Sequence, residues 1–268
     1  MELARWLDTF RKMGRRAEAL ARPLAGTARG RRPLGRGAAG DTTLYIDRVL
    51  EKMVVREAER AGNVRLISEE MGMRDFGQPE ASLVVDPIDG SANAEGGIGF
   101  YAVSYALGPP EPTLGDIRLG YVRNIVSGEE YWAVKGKGAF RNGRKMTSRE
   151  DGGLRLLLLE LSPGPVRAFE RAKKIVEKAE KVRCLGSMAL DMCYVASGGA
   201  SALVDLREGL ARPLDISAGK LILEEAGGVT SDGRGLTIDE LPVDLETRTD
   251  MLASANRRIH QRLLRLRR

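Results

Sequence analysis

The stretch "LVVDPIDGSANAEGG", Leu83 to Gly97, decides how this chain is read. Its apolar start, with Ser82 before it as "SLVVD", has the length and composition of a short buried strand. The run ends in two aspartates three apart, Asp86 and Asp89. Carboxylates at the mouth of a buried strand are costly unless something cationic holds them. Pro87 stiffens the turn between them and leaves the Ile88 carbonyl free to act as a further ligand. Gly90 and Ser91 then stand at the start of a helix. The unpaired N–H groups there can cradle a phosphate, and glycine lets it approach the main chain. The Ser91 hydroxyl is placed to bind or orient a water molecule.

Two more acids stand at comparable places. Glu69 closes the strand "VRLISEE", and Asp215 opens the helix "DISAGKLILEEAGG". Strand ends and helix starts line the ligand crevice of an α/β fold. Carboxylates from three such places can converge only if their repulsion is cancelled. An all-oxygen donor set selects Mg²⁺, Mn²⁺ or Ca²⁺ over zinc. Asp86 and Asp89 can each face a different ion, and two ions about 3.5–4 Å apart would clamp a displacement at phosphorus. Asp47 or Asp41, from "GDTTLYID", could receive a proton through Ser91. Taken singly, each acid also fits a plainer role: Asp86 and Asp89 as turn residues, Asp215 as a helix cap, Glu69 and Asp47 as solvated side chains. A calcium EF-hand is excluded because Gly97 stands where glutamate is needed. An aspartyl-phosphatase DxD motif fails because the two acids are three apart rather than two.

Composition narrows the chemistry. There are 268 residues, two cysteines and one histidine, His260. No disulfide framework, thiolate zinc site or ordinary Ser-His-Asp triad is supported. Cys184 and Cys193 read as core cysteines, and His260 as a helix-face residue. The net charge is +6, and 33 of the 43 basic residues are arginine. The segment "MELARWLDTFRKMGRRAEAL" carries charges throughout, unlike a signal peptide, so a cytoplasmic location is expected.

Apolar spacing predicts helices over 2–22, 45–61 and 166–180, a mobile loop over 27–40, and a run of antiparallel strands from 100 to 146. Asn142-Gly143 marks one hairpin. Blocks of alternating helix and strand predict a layered α/β protein with mixed sheets. An N-terminal α+β half, residues 1–150, and a C-terminal α/β half, 151–268, are expected to share one cleft.

"LISEE", "DPIDGSAN" at 86–93 and "LDISAGKLILEEAGG" at 214–228 resemble, in order and spacing, the three signatures of the inositol monophosphatase family. "GDTTLYID", "GYVRNIVSGEEYWAVKGKGAFRNG" and "GSMALDMCYVASGGA" agree as well. The resemblance covers nearly the whole chain after residue 40 and is strongest to the archaeal branch with dual fructose-1,6-bisphosphatase and inositol-1-monophosphatase activity. It implies alternating α/β/α/β/α layers, two or three Mg²⁺ ions per site with Mn²⁺ as a substitute, a small phosphorylated sugar or inositol as substrate, and a homodimer. Glu69, Asp86 and the Ile88 carbonyl would hold the first ion; Asp86, Asp89 and Asp215 the second. Asp89, Gly90 and Ser91 would meet the substrate, Gly90 and Ser91 at its phosphate. Ser91 with Asp47 would activate the water. Gly186, Ser187 and Met188, with Arg183, would bind the sugar or inositol, joined by Asp205 and Arg207. Counting back from Asp215 points to Glu208 instead of Asp205. The 27–40 loop would be a flap over a third metal position.

Two other readings compete. A 3′-phosphoadenosine phosphatase would need an adenine platform that the sequence does not display. The basic C-terminal segment, with Arg257, Arg258, Arg262, Arg265, Arg267 and Arg268, could mark a binder of nucleic acid or membrane surfaces. A packed terminal helix with a basic end explains it better, so neither partner is expected.

Overall fold

The computed structural model describes residues 2–38, 40, 42–149 and 151–267. The 83–97 stretch becomes strand β5 (Ala81–Asp89) and helix α3 (Ser91–Gly96), numbering the elements in chain order. Before them come α1 (Leu3–Ala21), β1 (Pro33–Arg36), β2 (Thr42–Leu44), α2 (Tyr45–Ala61), β3 (Val64–Ser68) and β4 (Gly72–Phe76). After them come β6 (Ala102–Gly108), β7 (Leu119–Asn124), β8 (Glu130–Val134), β9 (Gly138–Arg141), β10 (Arg144–Met146) and β11 (Leu156–Glu160). The rest are α4 (Pro165–Val176), β12 (Lys181–Arg183), α5 (Met188–Ala196), β13 (Ala202–Asp205), α6 (Pro213–Glu225), β14 (Val229–Ser231), β15 (Met251–Ser254) and α7 (Arg257–Arg267).

An eight-stranded sheet runs β10-β9-β8-β7-β6-β5-β3-β4, antiparallel except where β3 lies parallel to β5. A five-stranded sheet runs β12-β11-β13-β15-β14, with β11 parallel to both β12 and β13. Every residue of β5 is buried, because the sheet is covered on both faces. Leu83 and Val85 pack with α1 and α2 on one side. Val84 packs with α5, α6 and the second sheet on the other. Each fully buried aliphatic side chain here contributes on the order of 1.5–3 kcal/mol. Helices α4 and α7 close the far side through Ala172, Ile175, Ile259 and Leu263. The layers are therefore α/β/α/β/α, as the family resemblance implies.

Two local readings change. Part of the 27–40 segment is a hairpin, β1 pairing antiparallel with β2, rather than loop throughout. The Ala38 N–H bonds to the Glu70 carbonyl, and the Thr43 hydroxyl bonds to the Glu70 carboxylate. Arg29 and Arg32 stack over the Tyr45 ring at 5.0 and 5.5 Å. Cys184 is exposed, because β12 ends at Arg183 and releases the chain to the surface; Cys193 alone is a core cysteine. The turn Asn142-Gly143 forms as expected, with φ of +49° and +77°. His260 is buried, held by Ser254 Oγ at 3.0 Å and Ser231 Oγ at 2.9 Å. α7 packs through Ile259, His260 and Leu263, while Arg267 pairs with Asp250 and Arg262 bonds the Gly152 carbonyl.

Candidate active site

The parallel ladder of β3 and β5 sets Ser68 beside Val85, so the next residues are neighbours: Glu69 just past the end of β3, and Asp86 at the bulge of β5. Side chains alternate along a strand, which puts Asp86 on the Val84 side, facing α6. Asp215 lies in the first turn of α6, two residues after Pro213 opens it. A ligand oxygen from each of Glu69, Asp86 and Asp215 lies within 4.8 Å of the other two. Asp215 Oδ1 is buried without a hydrogen-bond partner.

Between Asp86 and Asp89 the ladder slips. Asp86 faces Ser104 and Asp89 faces Ala102, three steps on β5 against two on β6. Pro87 sits in this bulge, where its missing N–H costs no ladder bond. The Ile88 N–H donates to Asp86 Oδ1 at 3.0 Å, and Ser91 Oγ donates to the Ile88 carbonyl at 2.9 Å. That carbonyl is thus already bonded, with one lone pair left. Gly90 holds φ +95°, and a Cβ there would stand 3.0 Å from the Gly186 carbonyl oxygen. Asn93 Nδ2 bonds the carbonyls of Phe100 at 2.7 Å and Leu185 at 2.6 Å, tying α3 to the approach of α5.

Asp89 departs from its expected role. Its Oδ2 accepts from Ser187 Oγ at 2.5 Å and the Ala189 N–H at 2.8 Å, and its Oδ1 from the Met188 N–H at 3.0 Å. The carboxylate seals the amino end of α5, leaving about one of its four lone-pair sites open. It stands outside the three-acid group of ligand oxygens.

Burial dominates the electrostatics. Glu69 is pushed up to about 8, first by desolvation and then by Asp215. Asp86 is driven well above the usual carboxylate range by desolvation and then Glu69. Asp89 is raised to about 7 by burial, against the Ser187 bond. Asp215 is raised by burial and pulled back by Arg212. Arg212 is the residue that sequence reasoning missed. Its Nε donates to Asp215 Oδ2 at 2.9 Å and its Nη2 to Glu69 Oε1 at 2.5 Å. The one local signal is a basic residue three positions before Asp215. Three carboxylates, Asp86 buried and the other two largely so, against one guanidinium, with an orphaned oxygen among all-oxygen donors, fit a hard divalent cation.

These residues open into a cavity of about 480 Å³. Glu69, Asp86, Asp89, Gly90 and Ser91 form part of its wall, and Arg207, Arg212 and Arg248 bring positive charge to it. The sequence profile of the inositol monophosphatase family matches residues 9–268. The chain belongs to the inositol monophosphatase family. A fructose-1,6-bisphosphatase/inositol-1-monophosphatase of Methanothermobacter thermautotrophicus is 38% identical over 269 residues, covering 97% of this chain and 95% of that protein. A bifunctional NADP phosphatase/NAD kinase of Methanococcus maripaludis is 31% identical, covering 92% of this chain and 46% of that protein. A solved inositol monophosphatase-fructose 1,6-bisphosphatase superposes with a TM-score of 0.86 at 26% identity, covering 97% of this chain and 99% of that one.

The remaining family positions fall on both sides of the cavity wall. Gly186 and Met188 line it, with Ser187 behind them on Asp89. Asp205 is fully buried and takes Arg207 in a two-pronged pair, Nε at 2.8 Å and Nη2 at 2.7 Å, so Arg207 and not Asp205 reaches the cavity. Glu208 turns outward at φ +66° toward Arg167 and Arg171. Arg183 is corrected: it is exposed, bonds its neighbour's Val182 carbonyl and does not line the cavity, because β12 is an edge strand. Asp47 is buried and accepts the Leu44 N–H at 2.8 Å, with Oδ1 unpartnered. Desolvation pushes it up to about 7. No hydrogen bond among the described residues joins it to Ser91. Asp41 lies outside the described residues. Among the described residues no helix is long and apolar enough to cross a membrane.

Proposed function

We propose that this chain is a Mg²⁺-dependent phosphomonoesterase acting on inositol 1-phosphate and fructose 1,6-bisphosphate. The observation that carries the reading is the Glu69–Asp86–Asp215 group standing in one cavity with Gly90 and Ser91. Glu69, Asp86 and Asp215 would hold Mg²⁺ or Mn²⁺, with the Ile88 carbonyl and the open site of Asp89 as further donors. Bound there, a divalent cation supplies positive charge toward phosphoryl oxygens and lowers the cost of deprotonating water.

The chain's own groups do the rest. The free N–H groups at Gly90 and Ser91 receive the phosphate, and positive φ at Gly90 keeps the main chain bare. Ser91 Oγ donates a hydrogen bond to the Ile88 carbonyl and so presents lone pairs, which orient a water by accepting a hydrogen bond from it. Asp47 is the proton acceptor, supported by its unpartnered Oδ1 and its rise to about 7. Ser91 must turn from Ile88, or a water intervene, for the proton to arrive. Gly186 and Met188 wall the sugar or inositol, and Arg207 faces its anionic groups. We also propose the homodimer, which sedimentation velocity checks.

The test is phosphate release from inositol 1-phosphate, fructose 1,6-bisphosphate, NADP⁺ and 3′-phosphoadenosine 5′-phosphate, with and without Mg²⁺. Turnover of the first two that vanishes with chelator supports the reading. Preference for either nucleotide moves the substrate assignment, and full activity in Asp86→Asn removes the assignment of the acids.

A further inference from the structure

Arg212 stands at the residue before α6, three positions ahead of Asp215. Two of its bonds, to Asp215 Oδ2 at 2.9 Å and Glu69 Oε1 at 2.5 Å, reach two of the three carboxylates that come together in the cavity. The two elements joined are 143 residues apart in the chain. Guanidinium does not deprotonate in proteins, so this acid group carries a permanent cation of its own. Charge-assisted bonds of this kind are roughly twice as strong as neutral ones.

A divalent cation needs the same oxygens. Its ligands are carboxylate lone pairs at about 2.0–2.6 Å, and a lone pair engaged by an N–H is not open to it. Two positive groups packed against the same few oxygens also repel. Arg212 has room to give way: its side chain is 17% exposed and lines the cavity.

Taking the three acids as a divalent-cation site, as in the function proposed above, we propose that Arg212 is an intramolecular competitor for the metal. It neutralises Glu69 and Asp215 in the metal-free protein, where unpaired buried carboxylates would otherwise be costly. It releases at least one of them when the cation enters. The affinity of the site is therefore set by an exchange of cations, and the guanidinium lowers it. A merely structural role predicts the opposite sign: removing a residue that positions ligands weakens metal binding.

The experiment is titration of metal-stripped protein with Mn²⁺, followed by electron paramagnetic resonance, beside thermal unfolding with and without Mn²⁺. Arg212→Leu is expected to bind Mn²⁺ at least tenfold more tightly than the wild type. Its metal-free form should melt lower and gain more from Mn²⁺. Arg212→Lys keeps the charge without the two-pronged fork and should fall between. Equal or weaker Mn²⁺ binding by folded Arg212→Leu overturns the proposal. If that variant does not fold without metal, the wild type decides. The Arg212 Nε–H signal in ¹⁵N nuclear magnetic resonance should lose its exchange protection as Mg²⁺ saturates the site; an unchanged signal overturns the proposal. Absence of Mn²⁺ binding in both wild type and Arg212→Leu removes the metal reading itself. Binding by the wild type that Arg212→Leu does not improve removes only the role of Arg212.

Discussion

Two groups of buried and half-buried acids lie on either side of the Glu69–Glu70 peptide, and they are balanced differently. In the first, Glu69, Asp86 and Asp215 gather around one guanidinium. In the second, Asp47 and Glu51, one turn apart on α2, lie near Glu70. There the Leu44 N–H serves Asp47, the Thr43 hydroxyl serves Glu70, and Arg48 comes no closer than 4.0 Å to Glu51. Asp47 Oδ1 and Glu51 Oε1 are buried without partners. Desolvation is the largest cause of the raised values in both groups. What differs is the remedy. The first group, with more carboxylates than one guanidinium can neutralise, suits a further cation; the second, with no cation closer than Arg48 among the described residues, suits exchange of a proton. In the function proposed above, metal binding and proton acceptance fall to neighbouring but separate places.

The largest effect should split the two groups. Asp86→Asn is expected to lose both Mn²⁺ binding and phosphate release, the latter by 10²–10³-fold or more on the scale of lost electrostatic stabilisation. Asp47→Asn should lose activity by about 10²–10⁴-fold, the range for a general base, while binding Mn²⁺ within about threefold of the wild type. Equal loss of metal affinity in both variants would merge the groups and break the comparison.

A smaller effect sharpens the second group. Glu51 is raised from 4.5 to about 7, by desolvation first and then by Glu70. Between those values the unfolded chain has released the proton and the folded chain keeps it, so stability falls as pH rises through the window and levels off above it. Glu51→Gln should therefore be more stable than the wild type by about 1–3 kcal/mol at pH 8 and no different at pH 4. Urea unfolding at the two pH values measures this, and a gap of the same size at both would refute it.

The smallest effect concerns a cation outside both groups. Arg183→Ala should change stability by less than about 0.5 kcal/mol. Its kcat/KM on inositol 1-phosphate should stay within about twofold of the wild type. A tenfold loss would show that β12 reaches the substrate after all.

Much of this was legible along the chain. The buried stripe Phe10, Met13, Ala17 and Ala21 makes α1 readable from spacing alone. The uninterrupted apolar run before Asp86 marks β5 as covered on both faces. Elements without a strong pattern were not legible. β4 is exposed at its three central residues, Met73, Arg74 and Asp75, and shows no apolar alternation, and β14 has only three residues. The hairpin of β1 and β2 hides in a segment with no apolar period, because its pairing is made by the backbone.

What the sequence by itself determined is the set of acids at the ends of apolar runs and the helix and strand periods that bring those ends to one edge, since both depend on neighbours within a turn or two. Only the tertiary structure decided how each acid is spent. It turned Asp89 onto the amino end of α5, left Asp205 to hold Arg207, put Arg183 outside and set Arg212 between Glu69 and Asp215. Those outcomes rest on hydrogen bonds and desolvation among groups far apart in sequence, and burial exists only once the layers have closed.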